Sequence, residues 1–147
     1  MIVKFFLKIL ISRVANQFIC PVFRYGTMEE WEFGLKRVMN FPSERRQSER
    51  TYLLKTLAGC PNQNEKILRL LNITILEGNE NFTENDIFLI FSMLSGGSVG
   101  YSTLFKFLEQ NWDAIKIKYA NFFYTTHVMT FKLFSIDSPT RQTCGTI

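Results

Sequence analysis

Apolar residues recur along most of this chain at intervals of three and four, the spacing that lays a single apolar stripe along a helix. The clearest case lies between Tyr101 and Tyr124. Leu104, Phe105 and Leu108 share one side, Trp112, Ile115 and Tyr119 repeat the pattern, and Lys106, Lys116 and Lys118 fall largely off it. The pattern predicts two consecutive amphipathic helices, over residues 101–110 and 111–124, joined at Asn111-Trp112. It is a packing pattern, and nothing in it is arranged to do chemistry.

The rest of the chain supplies partners for those faces. Residues 1–11 read as an amphipathic helix, with Lys4, Lys8 and Ser12 on one side; the lysines interrupt the apolar run of a signal peptide and the run is far too short to span a bilayer. This first helix is expected to end near Phe18, because Pro21 disfavours helical geometry at Cys20. Thr27-Met28-Glu29-Glu30 spells a capping box, opening a helix to about Met39 with Trp31, Leu35 and Val38 inside and Phe33 at the edge. Ser43 is expected to cap a third helix, with Glu44 in its first turn and Tyr52, Leu53, Thr56 and Leu57 along it, stopped by Gly59 and Pro61. A fourth is expected over residues 64–76 with Ile67, Leu68, Leu71 and Ile75 on one side. Residues 78–81 read as a turn, and Thr83 caps a short helix of Ile87, Phe88, Phe91 and Leu94 that ends at Gly96-Gly97. After the two helices of the Tyr101–Tyr124 stretch come an apolar segment, 127–134, and a tail, 135–147, in which Pro139 and Gly145 break any periodicity. No alternating run calls for a strand. The expectation is an all-α fold of stacked antiparallel helical hairpins, roughly six to eight helices of about 10 to 16 residues.

Composition agrees with a packed core. The chain has 147 residues, 46% hydrophobic and 20% charged, with 15 Phe, which excludes a disordered polymer. The net charge of +4 is modest and scattered, with Arg45, Arg46 and Arg50 as the one basic cluster, so there is no concentrated stripe for nucleic acid. Cys20, Cys60 and Cys144 form no Cys-x-x-Cys pair, which excludes a zinc knuckle and allows at most one disulfide with one thiol over. Asn72-Ile73-Thr74 and Asn81-Phe82-Thr83 are N-glycosylation triplets, open to a glycan if the chain enters the secretory pathway.

The order of several residues is similar to a known family. Arg24, Gly26, Trp31 and Phe33, then Glu49 ahead of Leu53-Leu54 and Leu57-Ala58-Gly59-Cys60, then Leu68 and Leu71, then residues 107–112 and Tyr119, resemble the C-terminal helical domain of aminopeptidase N type zinc metallopeptidases, the endoplasmic-reticulum aminopeptidases among them. The resemblance runs from about Ala15 to Phe134, so residues 1–134 are expected to form a partial domain of this type, its later part, with 135–147 as a frayed tail. It implies an armadillo- or HEAT-like right-handed solenoid that closes over a catalytic domain, walls the substrate chamber and governs peptide access. It further implies a catalytic domain or peptide as partner, self-association of an uncovered end face, and an extracellular, membrane-associated or secretory setting; zinc would belong to the full-length family and no cofactor to this chain. The other reading from the residues alone is an independent helical module that binds a peptide or protein.

Catalytic readings fare poorly. A zinc aminopeptidase needs two histidines one helical turn apart and a downstream glutamate, and this chain has only His127. Gly26-Thr27-Met28-Glu29-Glu30 is similar to the Gly-x-Met-Glu-Asn segment with which these enzymes grip a substrate amine, but its last residue differs and it coincides with the helix cap. Gly96-Gly97-Ser98-Val99-Gly100 lacks the lysine of a phosphate loop and follows no strand. Carboxylate pairs such as Glu29 with Glu32, or Glu80 with Glu84, read as helix faces and caps. Arg24, Arg45, Arg46 and Arg50 remain the candidates for contact with a peptide or partner, set against the plainer reading of solvent-facing charges near helix ends.

Overall fold

The computed structural model describes residues 16–119. Among these the fold is all-α, without strands: α1 (Asn16–Tyr25), α2 (Met28–Met39), α3 (Gln47–Gly59), α4 (Asn64–Leu71), α5 (Glu84–Ser95) and α6 (Ser98–Lys118), with α4 running on into a π-helical turn at Asn72–Leu76. The chain divides into two compact units at Asn111 and Trp112, within α6. The expected helix at 1–11, the segments 127–134 and 135–147, His127 and Cys144 lie outside the described residues.

Two helix starts follow directly from local chemistry. The Thr27 hydroxyl accepts from the Glu30 N–H at 3.2 Å while the Glu30 carboxylate accepts from the Thr27 N–H at 3.0 Å, so two backbone donors that the helix itself leaves over are satisfied. Thr83 and Asp86 repeat the arrangement at the start of α5. The turn before it passes through Gly78 at φ 64°, a left-handed conformation that glycine adopts without a Cβ penalty.

Helix α3 is the hub of the first unit. It packs against α1, α2 and α5, and Leu53, Leu54, Thr56, Leu57 and Ala58 are all buried. Its apolar residues therefore run round the helix and not along one stripe, as a helix with neighbours on several sides requires. Phe23 of α1, Trp31, Leu35 and Val38 of α2, and Ile87, Ile90 and Leu94 of α5 complete the core; burial of each such side chain contributes roughly 1.5–3 kcal/mol. Gly34 lets α1 approach α2. A Cβ there would lie 2.5 Å from Phe23 Cζ, and the Phe23 ring is fully buried. In the second unit the described residues are the last turns of α6 and Tyr119, with Ile115 buried and the Lys118 ammonium 5.9 Å from the Tyr119 ring centre.

Several expectations are corrected. Pro21 sits inside α1 and does not stop it near Phe18; the backbone bond that proline forfeits is outweighed by burial of Ile19 and Phe23 on either side and by a disulfide at Cys20. The stretch around Asn111-Trp112 lies inside one helix, within which the Asn111 side-chain amide donates to the Phe107 carbonyl one turn back at 2.8 Å. Ser43 caps nothing: Pro42 to Arg45 is a turn closed by the Arg45 N–H on the Pro42 carbonyl at 3.2 Å, and α3 starts only at Gln47. On α4, Leu68 is 37% exposed while Lys66 and Leu70 are buried. On α5, Phe88 is exposed and Ile90 takes the inner place; on α6, Phe107 is buried where Phe105 was expected.

Candidate functional site

A helix leaves its last carbonyls without internal partners, and the end of α1 and the end of α3 solve this with side chains from elsewhere in the fold. The Lys66 ammonium reaches from α4 to the Phe23 carbonyl at 2.9 Å and the Gly26 carbonyl at 2.7 Å. Trp31 Nε1 donates to the Leu57 carbonyl at 3.2 Å, and Arg24 Nε donates to the Cys60 carbonyl at 3.0 Å. The Cys20–Cys60 disulfide ties the middle of α1 covalently to the end of α3. Lys66 is only 1% exposed. Burial pulls its pKa below the ordinary lysine value, and the nearby Glu30 charge only partly opposes that.

Arg24, one of the candidate arginines, lies at the mouth of a cleft of about 180 Å³ between the ends of α1 and α3 and the α5–α6 junction, lined also by Cys60, Met93, Leu94, Ser98 and Gly100. Arg24 Nε is committed to the Cys60 carbonyl on the wall of this small volume. Gly97 to Gly100, where the chain passes from α5 into the first turn of α6, line the same cleft.

Arg50 is engaged within the fold. Its guanidinium makes a two-pronged pair with Asp86, Nη1 to Oδ1 at 2.9 Å and Nη2 to Oδ2 at 3.0 Å, and Nη2 also donates to the Asn81 carbonyl at 2.9 Å. The two side chains are only 15% and 10% exposed, which corrects a solvent-facing placement for this arginine. Burial alone would raise the Asp86 pKa; the Arg50 hydrogen bonds, the Thr83 N–H and the Arg50 charge overcome it and hold the carboxyl below its ordinary value. Arg45 makes a half-exposed pair with Glu49 at 3.5 Å, and Arg46 is exposed at the start of α3. The structure thus does not gather Arg24 with the Arg45, Arg46 and Arg50 group: Arg24 is at the α1 end, and Arg50 is spent on α5. Asn72 opens the π-helical turn, and Asn81 is exposed in the loop before α5.

Lys66 stands out in no motif, since the stripe predicted for its helix runs through Ile67, Leu68, Leu71 and Ile75. Asp86 was legible as a cap residue and not as an ion-pair partner. Its partner lies 36 residues away.

The model of the ERAP1-like C-terminal domain matches residues 10–141. The chain belongs to this family. Comparisons with curated proteins and with solved structures give no match. In this ERAP1-like C-terminal domain, no group of three or more His, Cys, Asp or Glu among the described residues could hold a metal ion, and the whole sequence has one histidine. The two-histidine, one-glutamate set of a zinc aminopeptidase therefore does not fit on the chain. Its Gly26-to-Glu30 segment is engaged as a helix cap: the Gly26 carbonyl accepts from Lys66 and Glu30 closes the Thr27 box. No helix among the described residues is long and apolar enough to cross a membrane.

Proposed function

We propose that this ERAP1-like domain is the noncatalytic C-terminal portion of a zinc aminopeptidase, where it walls the substrate chamber and governs which peptides reach the metal. The observation that carries the reading is the family match across residues 10–141. The all-α core, in which one central helix is packed on several sides, suits a stack of helical hairpins of the HEAT kind that leans on a larger neighbour. The Cys20–Cys60 disulfide suits an oxidising, secretory or extracellular setting. Zinc and bond cleavage belong, in this reading, to the catalytic domain, and the partners are that domain and the peptides it admits.

The test is an aminopeptidase whose own helical domain has been removed, assayed on peptides of graded length with and without this chain added. The reading expects added chain to change the dependence of kcat/KM on peptide length while leaving short aminoacyl-nitroanilide hydrolysis nearly unchanged. Identical length profiles with and without the chain would contradict it. Activity of the purified chain alone on aminoacyl-nitroanilides with zinc, abolished by chelation, would overturn the noncatalytic assignment as well.

A further inference from the structure

The two glycosylation triplets occupy opposite kinds of place. Asn81 is exposed in the loop between the π-helical turn and α5. Its backbone is fixed, because its carbonyl accepts from Arg50 at 2.9 Å and its N–H donates to Asn79 Oδ1 at 3.0 Å. The side-chain amide donates to that same Asn79 oxygen at 2.8 Å, a contact within the loop. Two residues on, Thr83 is also exposed, its hydroxyl accepting from the Asp86 N–H. The intervening Phe82 is buried and pins the loop from beneath. Acceptor amide and hydroxyl are thus presented together on an anchored surface turn, the setting in which such a triplet can carry a glycan in the folded protein.

Asn72 offers the reverse. It continues α4 into the π-helical turn, with its carbonyl taken by the Glu77 N–H at 2.9 Å. Thr74 is sealed in the core, 1% exposed, its hydroxyl donating to the Leu70 carbonyl at 2.7 Å, and Ile73 and Ile75 beside it are buried. A branched sugar on Asn72 would have to clear a helix whose next three residues all pack inward.

We propose that Asn81 carries an N-linked glycan and that Asn72 does not. The donor is a polyprenyl-pyrophosphate-linked oligosaccharide. Asn81 Nδ2 forms the new bond to the sugar's anomeric carbon as that carbon's bond to the pyrophosphate oxygen breaks; Nδ2 gives up one proton and the polyprenyl pyrophosphate leaves with the electron pair. The nitrogen keeps one hydrogen, so its bond to Asn79 can survive modification. The setting this requires is the one the Cys20–Cys60 disulfide supports, and no step draws on the chamber role.

The experiment directs the full chain into the secretory pathway of eukaryotic cells behind a cleavable leader and weighs the cell-associated and secreted product before and after peptide-N-glycosidase. The expected result is one glycan, released with Asp left at position 81. Asn81→Gln abolishes it, Asn72→Gln leaves it in place, and Thr83→Ser, which keeps both the triplet and a capping hydroxyl, retains it. A product with no removable glycan, a glycan that persists in Asn81→Gln, or Asp appearing at position 72 would each overturn the proposal. Because the leader supplies the routing, none of these outcomes bears on the aminopeptidase reading.

Discussion

The α1–α3 corner and the α3–α5 face of this domain use cations to opposite electrostatic ends. At the corner, Lys66, Trp31 and Arg24 donate to carbonyls at helix ends, and the buried ammonium meets partial charges with no carboxylate in hydrogen-bonding range among the bonds it makes. At the face, Arg50 meets a full carboxylate in a two-pronged pair. The pKa directions follow. Lys66 is pulled down because burial is the larger effect and the Glu30 charge does not make it good. Asp86 is also buried, yet it is held down because the bonds to its charged form win. The comparison teaches that burial sets the direction where a buried charge meets only neutral carbonyls, as at Lys66, and is overruled where a full counter-charge bonds to it, as at Asp86.

The largest expected effect breaks the corner. Replacing both Cys20 and Cys60 by serine opens a loop spanning 40 residues, and chain entropy puts the loss at roughly 4 kcal/mol. Denaturant unfolding of the two forms measures it. Next comes the face. Asp86→Asn leaves the Arg50 charge in a mostly buried site without its counter-ion and removes half of the Thr83 cap, an expected loss of about 3 kcal/mol. Lys66→Met keeps the length of the side chain but orphans two carbonyls, and is expected to cost about 2 kcal/mol, less than Asp86→Asn because the ammonium's own burial penalty disappears with it.

The pH dependence sharpens the contrast. Asp86 has a folded pKa below its unfolded one, so its contribution is complete above the ordinary carboxylate range and is lost as pH falls through the folded value. The stability gap between wild type and Asp86→Asn is therefore expected to close in acid. Lys66 is also depressed: the folded state binds fewer protons between its folded value and the ordinary 10.5, so its contribution grows as pH rises through that window. The gap between wild type and Lys66→Met is expected to widen in alkali, as thermal melts across pH would report; parallel profiles for the two variants would erase the distinction. The smallest effect is at the surface. Arg45→Ala with Arg46→Ala removes one half-exposed i,i+4 pair and is expected to shift stability by no more than about 0.5 kcal/mol. A triple variant that adds Arg50 should fall by several times that, since it also removes the largely buried two-pronged pair with Asp86.

How much of this was legible beforehand divides along the same line. Patterns within one helix were readable: the Thr27 box and the Thr83 cap, the Trp31, Leu35 and Val38 stripe, the turn at Gly78 and the all-α class. What depends on a distant partner was not. Pro21 reads as a helix stop until Cys20 is seen bonded to Cys60, and nothing near Lys66 in the chain shows that the end of α1 is set against it. Arg50 reads as one of three like surface charges because Asp86 lies far along the chain. The candidate site divides the same way: Arg24 lines a cleft that no local motif announced, while the two triplets at Asn72 and Asn81 were visible but could be told apart only once Thr74 was found in the core and Thr83 outside it.

We propose that this ERAP1-like domain leans against a catalytic neighbour. Sedimentation velocity of the purified chain, alone and titrated with a zinc-aminopeptidase catalytic domain lacking its own helical domain, tests it most directly. Self-associated species are expected to give way to a one-to-one complex as the partner is added. A monodisperse monomer whose sedimentation is unchanged by the catalytic domain would contradict it and leave an independent helical module in its place.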